Sequence, residues 1–143
     1  MTGEDFISFS GRIAAQTAFG AAGYRSAVSR AYYGAFHCAR EFLARQFSFH
    51  CRTREQEHLW LQRHFLNCSV PDAHDVGKLL ETLHAHRKKA DYDLSATEAD
   101  AQSHAMACVL RAEQVRRKLQ SCSSDLATIE SEMLDWRRRA NVT

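Results

Sequence analysis

Apolar residues along this chain recur every three or four positions and nowhere alternate, which is the period of helices rather than strands. A first helix is expected from about Glu4 to Phe19, closing at Gly20, with Phe6, Phe9, Ile13 and Thr17 on one stripe. A second runs from about Tyr24 to Phe47. Its apolar residues Val28, Tyr32, Ala35, Phe36, Ala39, Phe42 and Leu43 fall on one side and should face the core. The polar stretch from Ser48 to Glu57 separates it from a shorter third helix carrying Leu59, Trp60, Phe65 and Leu66, which ends before Val70-Pro71. Asp72 is placed to cap a fourth helix with the stripe Val76, Leu79, Leu80, Leu83 and Ala90, ending near Asp93. Ser95-x-x-Glu98 has the form of a capping box opening the last helix.

That last helix carries a heptad seam: Ala101, Ala105, Cys108, Ala112, Val115, Leu119, Cys122, Leu126, Ile129, Met133, Trp136 and Ala140 alternate in steps of four and three. Such a seam fits either one long helix with a coiled-coil-like partner or two helices sharing a register. Ser121 to Ser124 is the weak point, because serine favours caps over helix interiors. The expected architecture is an all-α, up-and-down bundle of four to five helices with a long C-terminal helix. Residues 1–120 form the bundle and 121–143 a helical extension that is not a separate domain.

Composition agrees with one soluble domain: 143 residues, 45% hydrophobic and 25% charged, with a single proline and six glycines. No apolar run approaches the roughly 20 residues that span a bilayer. The net charge of +2 argues neither for nor against nucleic acid, so local clusters must decide. The five cysteines lack C-x-x-C spacing and follow no apolar leader, a usage that fits a reducing cytoplasm. No cofactor motif and no metal-ligand spacing is present, and His84-x-His86 points to different faces of a helix.

Two places hold candidate chemistry. Arg30, Tyr33 and His37 form a polar line on the second helix, roughly opposite its core stripe. Spacing alone fits a solvated face as well as a shared site. On the fourth helix Arg87 lies on the stripe of Leu80, Leu83 and Ala90, where an apolar side chain is expected. A charge there needs a partner, and Asp91 can reach it at i,i+4. Arg87 then either orients the helix as an ion pair or binds phosphate.

The segment from Gly23 through Arg25, Arg30, Tyr32-Tyr33-Gly34 and His37 to Leu43 strongly resembles the signature helix of HEPN domain proteins, especially the compact UPF0332-like group. Leu83 to Leu94, with Arg87 and Ala90-Asp91-Tyr92, resembles their second motif. The resemblance covers about Glu4 to Leu119 and implies a helical bundle that dimerises. It further implies a prokaryotic toxin-antitoxin or anti-phage role, RNA as the ligand, metal-independent cleavage, and a nucleotidyltransferase-type or other defence-operon protein as a partner. Catalytic members place a histidine four to six residues after the arginine; here Asp91-Tyr92 stands in that region, and His37 is the substitute considered. The residues expected at the site are Arg87, Asp91, Tyr92 and His37 for chemistry, with Arg30, Tyr33 and Lys88 for binding RNA or a nucleotide. The competing expectation is a non-catalytic module that binds a nucleotide or protein partner and assembles through its C-terminal helix.

Overall fold

A computed structural model describes residues 1–143. Six α-helices follow one another: α1 Gly3–Ala14, α2 Gly20–Phe47, α3 Glu57–Leu66, α4 Pro71–Tyr92, α5 Gln102–Ser121 and α6 Leu126–Arg139. Short 3₁₀ turns at Thr17–Phe19, Arg54–Gln56, Thr97–Asp100 and Cys122–Ser124 supply the corners. The count is therefore six rather than four to five. The expected long terminal helix breaks within the serine-rich stretch, where Ser124 Oγ turns back to the Ser121 carbonyl at 3.1 Å. No helix is long and apolar enough to cross a membrane.

The second helix is the central strut, packed against α1, α4 and α5. Its expected stripe is buried, with Val28, Tyr32, Ala35, Phe36, Ala39 and Leu43 in the core and Phe42 half-buried. Its start lies four residues earlier than expected, at Gly20, because Ala21, Ala22 and Gly23 offer no apolar signal. The first helix is shorter than expected and differently turned. It stops at Ala14, and the left-handed φ of +58° at Gly20 redirects the chain. Gly3, Ile7, Ser10 and Ala14 face inward, while Phe9 stands 45% exposed. The cause is close approach between helices: a Cβ on Gly34 would lie 2.9 Å from both the Gly3 carbonyl and the Ile7 amide nitrogen. Small residues must face each other there, and the bulkier Phe9 is turned out.

Two expected caps form differently. Pro71 takes the first position of α4 after Val70, and Asp72 instead pairs with Lys118 of α5 at 3.3 Å. Ser95 does not open a helix; its amide and hydroxyl both donate to Asp93 Oδ1, and α5 begins only at Gln102. The cause is Arg25. Its buried guanidinium donates to the carbonyls of Ala90, Asp93 and Ala96 at 3.2, 3.0 and 2.9 Å, and its Nε donates to Asp100 Oδ1 at 2.6 Å. The backbone after α4 wraps around that cation and forms only the short 3₁₀ turn at Thr97–Asp100 before α5.

The heptad seam is consumed within the chain. Ala105, Cys108, Ala112, Val115, Leu119, Cys122, Ile129 and Met133 join the same core as α2, while Leu126 is half-buried and Ala101 and Ala140 are exposed. The helix α6 rests on α3 through His64, whose ring lies 4.1 Å from Trp60 and 4.8 Å from Trp136, centroid to centroid. At its far end α6 closes with Asn141 at φ +53°, the Asn141 and Val142 amides donating to the Arg138 and Arg137 carbonyls.

Ile129 is completely buried, so Ile129→Asp should cost more than about 3 kcal/mol, through lost packing and a stranded carboxylate. Urea unfolding of the variant checks this; a stability equal to the original's would mean that the seam faces a partner instead.

Candidate functional site

Steps of three and four residues put His84, Arg87 and Asp91 on one face of α4. Tyr32 and Tyr33 of α2 and His58 and Gln62 of α3 meet that face. Arg87 is held from several sides. Its Nη2 donates to Tyr33 Oη at 2.6 Å, and its Nε lies 2.9 Å from Asp91 Oδ2. The Nε–H is not aimed at the carboxylate, so that contact is a close ion pair rather than a directed hydrogen bond. Asp91 Oδ2 in turn accepts from Ser29 Oγ at 3.2 Å, which braces it against α2. Two tyrosine rings flank the guanidinium, with centroids 5.1 Å away for Tyr33 and 5.4 Å for Tyr92. The arginine side chain is 13% exposed, and its Nη1 has no protein partner.

Beside the arginine lies a stack of aromatic and imidazole rings. His58 and His84 stack at 4.9 Å between centroids, and Tyr32 stacks on His84 at 5.1 Å. The Tyr32 hydroxyl hydrogen-bonds His58 Nδ1, and Gln62 Nε2 donates to His84 Nδ1 at 3.2 Å. An amide nitrogen only donates, so neutral His84 carries its proton on Nε2. Burial, aided by His58, Lys88 and Arg87, holds the His84 pKa down to about 4. Burial and then the Arg87 charge lower that of His58 as well. Burial drives the Tyr32 hydroxyl upward, so it stays protonated. At neutral pH the site thus holds one fixed cation beside two uncharged imidazoles.

The other expected residues are spread more widely. Tyr33 reaches Arg87, but Arg30 and His37 turn to Phe6 of α1. The His37 ring stacks on Phe6 at 5.6 Å, and the Arg30 guanidinium lies 5.9 Å from the same ring. Burial lowers the His37 pKa, and Arg40 adds to the effect. His37 makes no hydrogen bond or ion pair with Arg87; its link to the site is the Tyr33 ring, 6.4 Å away. Lys88 is exposed and unpaired. Tyr92 is 74% exposed, neither a cap nor a core ring. Sequence reasoning missed His58, His84, Gln62 and Ser29. Only His84 left a usable trace, at three residues before Arg87 on one helix face. No group of three or more His, Cys, Asp or Glu side chains is arranged to hold a metal ion.

The sign of the pH dependence follows from the lowered pKa values. The unfolded chain protonates these imidazoles near 6.5, before the folded one does, so their contribution to stability is lost as pH falls below that value, for His84 down towards about 4. Removing the neighbouring cation must make protonation easier. In Arg87→Ala, histidine NMR titration should show both the His58 and His84 pKa values rising; unchanged values would mean that Arg87 does not stand beside them.

No protein-family model, curated protein or solved structure matches the chain.

Proposed function

We propose that this chain is a HEPN-type protein that cleaves single-stranded RNA without a metal ion, acting as a homodimer in a prokaryotic toxin-antitoxin or anti-phage module. The observation that carries the reading is the convergence of Arg87, with its Nη1 free, on the neutral His58–His84 pair. The motifs from Gly23 to Leu43 and Leu83 to Leu94 supply the family context, and a nucleotidyltransferase-type protein is the partner that context favours.

The chemistry assigns a role to each group. In the tautomer that donates Nδ1–H to the Tyr32 oxygen, His58 offers Nε2 as the proton acceptor for a ribose 2′-hydroxyl. The 2′-oxygen attacks the adjacent phosphorus while Arg87 stabilises the charge gathering on the phosphoryl oxygens. The bond to the 5′-oxygen breaks, and the His58 imidazolium returns its proton to that oxygen. The products are a 2′,3′-cyclic phosphate and a 5′-hydroxyl. His84 Nε2–H is a second donor at the same place. This arrangement gives the histidine function a source other than the region occupied by Asp91-Tyr92, and Asp91 becomes the residue that orients the arginine.

The competing reading, a non-catalytic module, draws on the ties of Arg87 to Tyr33 and Asp91, which would join α4 to α2 even without a substrate. Its assembly through the terminal helix has less support, since Ile129 and Met133 are fully buried in the chain's own core.

Cleavage of a labelled single-stranded RNA in the presence of a chelator separates the two. Arg87→Ala should slow it about 100-fold or more, as should His58→Gln, each with the fold intact by circular dichroism. Absence of cleavage by the original protein, or an undiminished rate in Arg87→Ala, would favour the non-catalytic module.

A further inference from the structure

The ends of α2 and α6 meet beside the 48–52 segment in an open groove of about 680 Å³. That volume lies within the roughly 300–1,000 Å³ of ligand clefts. Its lining includes Arg52, Arg137 and Arg138 beside His50, and no carboxylate side chain lines it. Arg138 is partly neutralised by Asp135 at 3.5 Å, but neither Arg52 nor Arg137 has an acidic partner. Arg137 is also pre-positioned: its guanidinium carbon lies over the Phe49 ring, 4.3 Å from the centroid. A guanidinium held by its face still presents its N–H edge to an incoming anion.

Basic residues at helix ends commonly serve the local dipole, and two helices end here. In this case backbone groups already serve the last carbonyls. The Ser48 amide donates to the Ala44 carbonyl and the Phe49 amide to that of Leu43, while Asn141 and Val142 cap α6 in the same manner. The two arginines are left without an acidic partner.

We propose that this groove is a phosphate-binding track for single-stranded RNA, with Arg52 and Arg137 gripping successive backbone phosphates. The trough is open, which suits a polymer passing through rather than an enclosed small molecule. Ser48 and Asn141 add neutral donors of the kind that contact phosphate and sugar, and Leu134, 42% exposed, gives an apolar wall for a ribose or base. The proposal rests on the RNA reading above and adds to it a binding surface formed by elements other than α4.

The test is fluorescence anisotropy with a short fluorescein-labelled single-stranded RNA whose 2′-fluoro riboses prevent cleavage, titrated at several salt concentrations. Arg52 is exposed and unpaired, so Arg52→Gln leaves folding untouched. It and Arg137→Gln should each weaken binding about tenfold, and each should reduce the slope of log affinity against log salt by about 0.7. With cleavable RNA both variants should raise KM and spare kcat, whereas Arg87→Ala should lose kcat. Binding by the original protein that ignores both groove substitutions overturns the groove and leaves the RNA reading standing. Failure of the original protein to bind the RNA overturns both. Displacement of the RNA by poly-glutamate of equal charge overturns the assignment to RNA in favour of an acidic protein partner.

Discussion

A guanidinium has five N–H groups, and burying it without acceptors for them is prohibitively costly. Arg25, 9% exposed, finds acceptors in the carbonyls of Lys89, Ala90, Asp93, Leu94 and Ala96 and in the Asp100 carboxylate, all in the stretch between the last turn of α4 and the start of α5. One side chain of α2 thereby ends α4, shapes the loop that follows and sets where α5 begins. The phase of α4 against α2 is fixed by the same cluster, and with it the direction in which Arg87 and Asp91 project. Burial of a paired cation is weak as a source of net stability; its effect here is geometric, since it gathers five carbonyls and a carboxylate of one stretch around one group.

The second cation uses the same device in a more open place. Arg87 is tied by Tyr33 and Asp91 yet keeps Nη1 free, so it is oriented without being used up. Its charge, added to burial, keeps His58 and His84 neutral. A fixed positive charge next to uncharged imidazoles suits the proposed phosphoryl chemistry, in which the arginine would meet the anion and a neutral ring would take the proton. Distances set the two apart. Arg25 is consumed by the fold, and Arg87 is held by it.

Much of the helical framework was legible because burial of large side chains leaves a period. The stripes of α2 and α4 and the seam from Ala105 to Met133 are buried as their spacing implied. The pair of Arg87 with Asp91 was also visible, being local at i,i+4. What escaped is non-local or silent in hydrophobicity. The Gly3–Gly34 crossing turned Phe9 outward, and small residues carry no apolar signal. Arg25 reads as a surface residue until its partners, 64 to 75 positions away, are known. His58 comes from α3, and nothing in its local spacing points to Arg87, which lies 29 positions further along the chain. The Ser95-x-x-Glu98 pattern had the right residues for a cap, but Ser95 bonds back to Asp93, and the carbonyls on either side of it, those of Leu94 and Ala96, accept from Arg25.

The dependence of the site on the Arg25 cluster is open to direct measurement by amide hydrogen exchange on Arg25→Met, which keeps the stem and removes the donors. Protection should fall sharply from Arg87 to Ala101 while the core of α2 and α5 stays protected, because the helix end and loop lose the group that gathers their carbonyls. Unchanged protection across that stretch would show that the loop and the placement of Arg87 do not depend on Arg25, and would contradict the account.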